Sequence, residues 1–361
     1  MSDNISIKTA KEIEAYLKQE KKRFESIQKE PKVLILGSSD SGKSTLLKQL
    51  KIIYSDGFTN DEKNYAKKLI FSNIITVCAI LLEIHTTSYQ NLRDFINTLA
   101  SREESFVVDV IPEVLIGLIT DLWNNIESQE HLANLIYPIP DSTSHFINRL
   151  PDLIKPDCLP TQEDILLLRT VTQSVSETIF KIQMGAHEAM AILTLHVFDV
   201  SGLMHHRKHW ISFFEYVDLI IFVMALNSYD QFLIEDPTIN RMQDALVLFE
   251  EIVNHPLLQS PSIALFMNKK DAFAIKIAKT PIQKFFPDYQ GFLIILTLGA
   301  ENNINDGLLF FKKKFLKTNK MNRTLSVQPT CCTDTNLMKN IVTRVIGSIT
   351  KRQLQSMGLY N

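Results

Sequence analysis

One segment of eight residues, 37–44, constrains the fold of this chain more than any other part of its sequence. Its residues are Gly37, Ser38, Ser39, Asp40, Ser41, Gly42, Lys43 and Ser44, which match the pattern G-x-x-x-x-G-K-[S/T]. The apolar run 33–36 precedes it, and a helical pattern over 45–53 follows it. A strand, a glycine-containing loop and a helix in this order surround phosphates with backbone N–H groups. The segment predicts an open sheet with a phosphate site at the carboxyl end of its first strand.

Each position of this loop has a chemical reason. Gly37 and Gly42 permit backbone angles and a close approach that a side chain would block. Lys43 supplies a positive charge to the outer phosphates, and the Ser44 hydroxyl can bind magnesium. Thr45 follows in the first turn of the helix, whose N-terminus faces the phosphates. These residues are the first candidates for a nucleotide and magnesium site.

A second motif distinguishes guanine from adenine. Asn268, Lys269, Lys270 and Asp271 follow the apolar run 263–267 and match the N-K-x-D element of GTP-binding proteins. A buried Asp271 carboxylate would accept hydrogen bonds from guanine N1 and the exocyclic amino group, a donor pair that adenine lacks. The motif therefore favours a GTP-binding protein over the alternative of a P-loop ATPase or kinase.

A third motif lies between these two along the chain. Asp199, Val200, Ser201 and Gly202 end an apolar strand and match the D-x-x-G element. Asp199 would hold magnesium through a water molecule, and the Gly202 amide would contact the γ-phosphate. This tetrapeptide is weak alone, but its position after the phosphate loop and before N-K-x-D makes it a convincing nucleotide-site motif.

Composition and charge limit the class of protein. A chain of 361 residues with 45% hydrophobic residues can bury a sizeable core, and its length predicts about two domains. The 38 basic residues nearly balance the 40 acidic ones, which argues against a nucleic-acid-binding protein. Four cysteines, of which Cys331 and Cys332 are adjacent, do not form a disulfide framework and suit a reduced cytoplasmic chain. The apolar runs 74–82 and 219–226 are shorter than a membrane-spanning helix, which needs about 18 residues.

The hydrophobic pattern changes along the chain. Residues 8–30 are charged with a thin apolar stripe, which predicts a long helix that is either a solvated surface or a partner site. Residues 59–156 read as helices, among them 91–100 and 112–126. From Phe198 onward, apolar runs alternate with amphipathic helices, which is typical of a parallel sheet with crossover helices.

Further segments carry a resemblance to a known family. They are 51–58 after the first helix, Asp141-Ser142, 160–166 leading into Arg169 and Thr172, Trp210-Ile211, Phe214-Glu215, 330–335 and Gly358-Leu359. With the three motifs above, they make the chain resemble heterotrimeric G-protein α subunits over nearly its whole length. Ser44 and Thr172 are 128 positions apart, whereas a plain Ras-like GTPase has only a short loop there.

The resemblance implies an α/β fold, in which a Ras-like P-loop GTPase domain with a parallel-dominated sheet is interrupted by an inserted all-α helical domain. The implied parts are an N-terminal helix at 1–30 that binds the βγ dimer in the family, a Ras-like domain at 31–58 and 159–361, and a helical domain at 59–158. The helical domain would cover the nucleotide as a lid, so that exchange requires the two domains to open.

The resemblance also implies roles for individual residues. Arg169 is the arginine finger, supplied by the chain itself, that stabilises charge on the transferring phosphoryl group, a role for which this family is a standard example. Thr172 is the second hydroxyl ligand of magnesium, joining Ser44. The residues implied to surround the nucleotide are Asp141, Ser142, Leu166, Leu167, Leu168 and Cys332. The implied cofactors are GTP or GDP with Mg²⁺, and the implied partners are a βγ dimer and a seven-helix receptor, with an unknown effector and no nucleic acid.

Several positions depart from the family pattern. Leu203 stands where the family has its catalytic glutamine, and leucine cannot orient the attacking water by hydrogen bonds. Ser201 replaces a glycine and Met204 an arginine, which affects the movement of the second switch. We expect slow hydrolysis and a long-lived GTP state. The alternative is a pseudo-GTPase scaffold that is held in one nucleotide state and engages effectors without cycling.

Membrane attachment also departs from the family. Ser2 replaces the myristoylated glycine, and the first cysteine is Cys78, so no lipidation signal is visible. We expect a cytoplasmic protein that reaches the cytoplasmic face of the plasma membrane only peripherally, through partners. The hairpin around 185–188 is longer than usual, and Met357 and Asn361 alter the tail that contacts receptors in the family.

Overall fold

The computed structural model describes residues 30–85, 87–101, 107–134, 139–170, 172, 175–184, 191–233, 235–289 and 300–356. The predicted N-terminal helix, apart from Glu30, lies outside the described residues. The tip of the long hairpin near 185–188 and the tail from 357 onward also lie outside them.

A six-stranded sheet forms the centre of the protein. Its strands are β1 (Lys32–Leu36), β2 (Ser176–Met184), β3 (Ala191–Asp199), β4 (Leu219–Ala225), β5 (Ser262–Asn268) and β6 (Leu325–Pro329). The spatial order is β2-β3-β1-β4-β5-β6, in which β2 runs antiparallel to β3 and every other neighbouring pair is parallel. The predicted parallel-dominated α/β sheet is therefore confirmed.

Helices cover both faces of the sheet because both faces of the central strands are apolar. In β1, Leu34 and Leu36 belong to one core, while Val33 and Ile35 belong to the core on the opposite face. All seven residues of β4 are buried. Strands buried on both sides read as continuous apolar runs, which is why β1, β4 and β5 were visible in the sequence.

The helices are divided between the sheet and a separate helical unit. They are α1 (Lys43–Tyr54), α2 (Asn60–Leu82), α3 (Gln90–Ala100), α4 (Ile116–Asn124), α5 (Ile126–Asn134), α6 (Thr143–Leu153), α7 (Gln162–Leu167), α8 (Arg241–Val253), α9 (Lys270–Ile277), α10 (Ala300–Lys317) and α11 (Thr335–Ser356). Helices α1 and α11 pack on one face of the sheet, and α8, α9 and α10 pack on the other. Helices α2, α3, α4 and α6 bury their apolar side chains in a third core of their own.

Helix α2 is longer than its apolar run suggests. A capping box begins it: the Glu62 N–H donates to Thr59 Oγ1 at 3.3 Å, and the Thr59 N–H donates to Glu62 Oε2 at 2.9 Å. The helix has 23 residues and a mean hydropathy of 1.6 over an 18-residue window, so length and composition alone would let it cross a membrane. However, 56% of that window is buried, and Ile70, Phe71 and Ile74 lie inside the helical core. We therefore assign α2 as a core helix of the helical unit.

Two segments differ from the predicted helices. The pattern over 112–126 forms a 3₁₀ turn (Glu113–Leu115) followed by α4, which ends at Asn124. The segment that follows the D-x-x-G motif, called the second switch segment below, forms a 3₁₀ helix (Met204–Tyr216). Its Trp210 and Phe214 are buried against the sheet, and these tertiary contacts select a tighter helix than the sequence periodicity indicates.

A histidine between two glutamates joins the start of β1 to the edge of the sheet. His196 Nδ1 lies 2.6 Å from Glu177 Oε1, and His196 Nε2 lies 2.7 Å from Glu30 Oε2. Burial lowers the pKa of His196, but its hydrogen bonds to the two carboxylates outweigh burial and raise it. His196 therefore stabilises the folded protein fully at a pH below its unfolded pKa of about 6.5, and this contribution is lost as the pH rises through its folded pKa.

We therefore expect the stabilising contribution of His196 to be full at a pH below about 6.5 and smaller at a pH above its raised folded-state pKa. The measurement is the free energy of unfolding in urea, compared between the protein and His196→Gln. The difference should shrink by up to about 1 kcal/mol as the pH rises, a small effect because Glu177 is half exposed and screened by solvent. An equal difference at both pH values would contradict this assignment.

Candidate functional site

A cavity of about 410 Å³ opens at the carboxyl ends of the strands, between the sheet and the helical unit. Most of the residues predicted from the sequence line it. They are Ser39, Asp40, Ser41, Gly42, Lys43, Ser44, Thr45, Asp141, Ser142, Leu166, Leu167, Leu168, Arg169, Thr172, Ser201, Gly202, Leu203, Asn268, Lys269, Asp271 and Cys332. Residues from six separate parts of the chain thus surround one cavity.

The loop between β1 and α1 adopts the backbone angles that its glycines were predicted to permit. Gly37 and Gly42 have φ angles of 144° and 102°. A Cβ atom on Gly37 would lie 2.1 Å from the Val223 carbonyl oxygen, and one on Gly42 would lie 2.2 Å from Asn268 Nδ2. Both positions therefore exclude side chains, and they bring the loop against β4 and β5.

Asn268 connects the phosphate loop to the segment around Cys332. Its Nδ2 donates to the Ser41 carbonyl oxygen at 2.9 Å, and its Oδ1 accepts from the Cys332 N–H at 3.0 Å. The next residue, Lys269, adopts a left-handed conformation with φ 59° and caps α9. Asp271 follows in the first turn of α9, exposed at the cavity wall rather than buried, so a base seated there would cover it.

Lys43 is held by the phosphate loop itself. Its Nζ donates to the carbonyl oxygens of Gly37 at 3.1 Å and Ser38 at 2.8 Å. Burial lowers the pKa of Lys43 to about 8, although the charge of Asp199 opposes this shift. A Cβ atom on Gly202 would lie 2.4 Å from Lys43 Nζ, so the D-x-x-G segment lies directly against this lysine.

Two hydroxyls and a carboxylate meet beside the loop. Ser44 Oγ lies 2.8 Å from Thr172 Oγ1 and donates to Asp199 Oδ2 at 2.9 Å. The second oxygen, Asp199 Oδ1, is buried and has no hydrogen-bond partner among the described residues. Burial raises the pKa of Asp199 despite the opposing charge of Lys43. The three side chains form a compact set of oxygen ligands, although Ser44 and Thr172 are 128 positions apart.

Three positively charged side chains surround Asp40 at the edge of the cavity. It lies 3.3 Å from Lys269 Nζ, 3.5 Å from Arg241 Nη2 and 3.9 Å from Arg169 Nε. Burial alone would raise the pKa of Asp40, but the charges of Lys269, Arg241 and Arg169 hold it well below its usual range. Asp40 therefore stays ionised and orients the side chain of Arg169 towards the phosphate loop.

Hydrogen bonds from Arg207 and Trp210 fix the second switch segment in place. Arg207 donates to both carboxylate oxygens of Asp244 at 2.7 Å, a bidentate pair, and its Nε donates to the Gly202 carbonyl oxygen at 3.3 Å. Trp210 Nε1 donates to the Ser201 carbonyl oxygen at 3.0 Å. The backbone beside the cavity is thereby fixed to α8 and to the 3₁₀ helix.

Contacts across the cavity join the helical unit to the sheet. Asp141 Oδ2 lies 3.3 Å from Lys269 Nζ and accepts from Asn227 Nδ2 at 3.2 Å. Ser142 Oγ donates to the Leu167 carbonyl oxygen at 2.8 Å. These contacts close one side of the cavity.

Five predicted residues lie outside the cavity lining. Gly37 and Ser38 begin the loop, and their carbonyl oxygens accept from Lys43 Nζ. Asp199 accepts from Ser44 Oγ. Val200 is fully buried in the core, and Lys270 is exposed at the start of α9.

The structure adds residues that sequence reasoning missed. The further lining residues are Lys48, Pro140, His145, Thr170, Ala272, Ile275 and Thr333. Lys48 donates to the carbonyl oxygens of Ile165 at 3.0 Å and Leu168 at 2.7 Å, and burial lowers its pKa to about 8. Arg241 Nη2 donates to the Ser39 carbonyl oxygen at 2.6 Å. No local motif signals these pairs, because their partners are more than 100 positions away.

A family model for the G-protein alpha subunit matches residues 7–349. The chain belongs to the G-protein α-subunit family. It is 35% identical over 346 residues to the guanine nucleotide-binding protein alpha-3 subunit of Caenorhabditis elegans, with 92% of each chain covered. It is 33% identical to the G-protein complex alpha subunit gpaA of Aspergillus fumigatus, with 96% of this chain and 95% of the relative covered. It is also 33% identical to the alpha-2 subunit of Saccharomyces cerevisiae, of which it covers 73%.

Membership of this family confirms the resemblance drawn from the motifs. G-protein α subunits are guanine-nucleotide-binding signal transducers and, as a family, GTPases. The family also accounts for the fold, in which a helical unit is inserted into a mostly parallel sheet domain. The finer properties of this member depend on the residues around its own cavity.

Proposed function

We propose that this chain is a magnesium-dependent GTP and GDP switch that hydrolyses GTP slowly. The observation that carries the proposal is the meeting of the phosphate loop, the D-x-x-G segment and the N-K-x-D turn around one cavity. Lys43 and the loop amides would bind the phosphates, and Asp271 would accept from the guanine base. Leu203 lies on the wall of the same cavity, where the family has glutamine.

The oxygen cluster beside the loop fits a magnesium ion. Ser44, Thr172 and Asp199 present only oxygen donors, which are the ligands that magnesium prefers. The unpartnered Asp199 Oδ1 provides a buried acceptor that a metal-bound water would satisfy. The two hydroxyls would ligate the ion, with Asp199 acting through water. When bound, the ion would neutralise charge on the phosphate oxygens.

Arg169 and Leu203 together support slow hydrolysis. Arg169 lines the cavity and lies 3.9 Å from Asp40, so it can be oriented to stabilise charge on the phosphoryl group. Leu203 has no polar side-chain atom with which to hold the attacking water. Charge stabilisation without placement of the nucleophile should leave a slow reaction.

A second candidate function is a scaffold held in one nucleotide state. The observation that favours it is the Arg207–Asp244 pair, which fixes the second switch segment together with the Arg207 bond to Gly202. A segment that is fixed by contacts within the protein would respond weakly to hydrolysis. The two functions differ in whether the effector-binding surface changes between GDP and GTP.

The domain limits and partners follow the family. We place the Ras-like domain at 31–58 and 159–361 and the helical domain at 59–158, since most of the helical core comes from residues between Ala66 and Leu153, with Ile165 and Leu168 of the following segment packed against it. A βγ dimer and a seven-helix receptor are the proposed partners, with the protein at the cytoplasmic face of the membrane through them. The balance of 38 basic and 40 acidic residues is the reason that we propose no nucleic-acid partner.

The test is to identify the nucleotide that copurifies with the protein and then to follow exchange and hydrolysis. The bound nucleotide is released by acid and separated by chromatography, and fluorescent GTP, GDP and ATP analogues are titrated with and without magnesium. We expect bound guanine nucleotide, magnesium-dependent GTP binding and competition by GTP but not by ATP. Equal competition by ATP would contradict the proposal. A nucleotide-independent effector surface would favour the scaffold.

The contacts of Asp141 predict a role in nucleotide exchange. Replacing Asp141 by alanine removes its bonds to Lys269 and Asn227, which join the helical unit to the sheet across the cavity. We expect GDP release to accelerate about 3- to 10-fold, because each lost polar contact contributes about 0.5–1.5 kcal/mol. Release is followed with a fluorescent GDP analogue. Asp152→Ala, at an exposed ion pair of the helical unit, is the control and should leave release unchanged.

A further inference from the structure

A serine at the wall of the nucleotide cavity faces a histidine that lies behind it, outside the cavity lining. Ser201 Oγ lies 3.0 Å from His206 Nδ1, and the Leu203 N–H donates weakly to the same oxygen at 3.4 Å. Ser201 is only 4% exposed, yet it lines the cavity. A hydroxyl within hydrogen-bond reach of an imidazole nitrogen is the arrangement that activates a serine nucleophile.

The position of this pair relative to the phosphates follows from its neighbours. Gly202, the next residue, lies so close to the phosphate loop that a Cβ atom there would be 2.4 Å from Lys43 Nζ and 2.7 Å from the Ser39 nitrogen. Those groups are the ones that would hold the terminal phosphates. The Trp210 bond to the Ser201 carbonyl oxygen fixes the backbone at this point. The Ser201 hydroxyl is therefore held beside the phosphoryl group that the site would transfer.

We propose that Ser201 is a phosphoryl acceptor and that His206 is its general base, so that the protein transfers the terminal phosphate of GTP to itself. This inference rests on the proposed binding of GTP. Ser201 Oγ attacks the γ-phosphorus, and the bond between that phosphorus and the β–γ bridging oxygen breaks. With His206 neutral and its proton on Nε2, Nδ1 accepts the hydroxyl proton. The products are phosphoserine 201 and GDP, which keeps the electron pair of the broken bond.

Leu203 makes this transfer competitive with hydrolysis. Its side chain cannot hold a water molecule in line with the phosphoryl group, whereas Ser201 Oγ is already held in place by His206 and the Leu203 N–H. A nucleophile that is part of the protein avoids the entropic cost of ordering a water molecule. Arg169 and Lys43 would stabilise the developing charge for either nucleophile.

The experiment loads the full chain with GTP labelled on the γ-phosphate, in the presence of magnesium, and measures label that stays on the denatured protein. We expect acid-stable label on Ser201, located by tandem mass spectrometry, with one GDP formed for each phosphoserine and little free phosphate. GTP labelled on the α-phosphate should leave no label on the protein. Ser201→Gly, which restores the residue that the family has, and Ser201→Ala should both abolish the label.

Matched controls separate the chemistry from folding. His206→Asn should lower the labelling rate about 10²-fold, the usual effect of losing a general base. Exposed residues of the same 3₁₀ helix serve as controls, so Ser212→Ala and His209→Asn should label like the unaltered protein. Equilibrium binding of a fluorescent, non-hydrolysable GTP analogue confirms that each variant folds and binds nucleotide.

Each of the other possible outcomes decides which proposal is wrong. Normal binding of the analogue without phosphoserine would overturn this inference and leave the proposed GTP switch intact. Label on a residue other than Ser201, or label that persists in Ser201→Ala, would also overturn it. Slower phosphate release in Ser201→Ala, without phosphoserine in the unaltered protein, would instead assign Ser201 to placing water. Failure to bind guanine nucleotide would overturn both proposals.

Discussion

Asp271→Ala is expected to lower the affinity for GTP about 10³-fold, the largest effect that we expect from a single side chain. The carboxylate would accept two hydrogen bonds from guanine, and hydrogen bonds to a charged group contribute about 1.5–3 kcal/mol each. The variant should lose the discrimination between GTP and ATP, because the phosphate contacts of Lys43 and the loop do not depend on the base. Equilibrium titration with fluorescent GTP and ATP analogues measures both effects.

The adjacent residue provides the control for this experiment. Lys270 begins the same helix but is exposed and lies outside the cavity, so Lys270→Ala should change the affinity less than about 2-fold. Asp271→Asn keeps one acceptor and should fall between the alanine variant and the unaltered protein. An Asp271→Ala variant that still prefers GTP would contradict the assignment of this turn to base recognition.

Leu203→Gln is expected to accelerate single-turnover phosphate release about 10²-fold, as expected when a group that positions the nucleophile is supplied. The glutamine amide can accept from and donate to the attacking water, whereas leucine can do neither. Since Arg169 and the oxygen cluster are unchanged, GTP binding should stay within about 3-fold of its original affinity. Phosphate release is measured after magnesium is added to preloaded protein.

A neighbouring substitution tests whether position 203 is special. Met204 is exposed on the same segment, and Met204→Gln should leave phosphate release unchanged. If Ser201 accepts phosphate, Leu203→Gln should also reduce phosphoserine, because water then competes for the same phosphoryl group. Unchanged phosphate release in Leu203→Gln would show that slow hydrolysis has another cause.

Much of the sheet could be predicted because its strands are buried on both faces. The run Leu219–Ala225 is continuously apolar and forms β4, and the run within Ser262–Asn268 forms β5. The antiparallel edge strand β2 (Ser176–Met184) was not predicted, because the exposed Ile179 next to the buried Phe180 interrupts its alternation of polar and apolar residues. Edge strands have weaker patterns because only one face packs against the core.

Much of the cavity was also predictable, although its internal contacts were not. Asn268 was identified from its motif, but its bonds to Ser41 and Cys332 span more than 60 positions. The same is true of Asp40, whose three cationic neighbours come from separate segments. A motif specifies the side chain and the local backbone, whereas partners from distant segments depend on how the elements pack.

By itself, the sequence determined the phosphate loop, the base-reading turn and their places at strand ends, because backbone conformation and apolar burial are local requirements. Through the family resemblance, it also predicted that Leu203 stands where the family has the glutamine that places water. Only the tertiary structure decided that Ser201 faces His206, since the 3₁₀ helix that turns His206 back towards the cavity is selected by the burial of Trp210 and Phe214. Packing, rather than local preference, set the geometry of that pair.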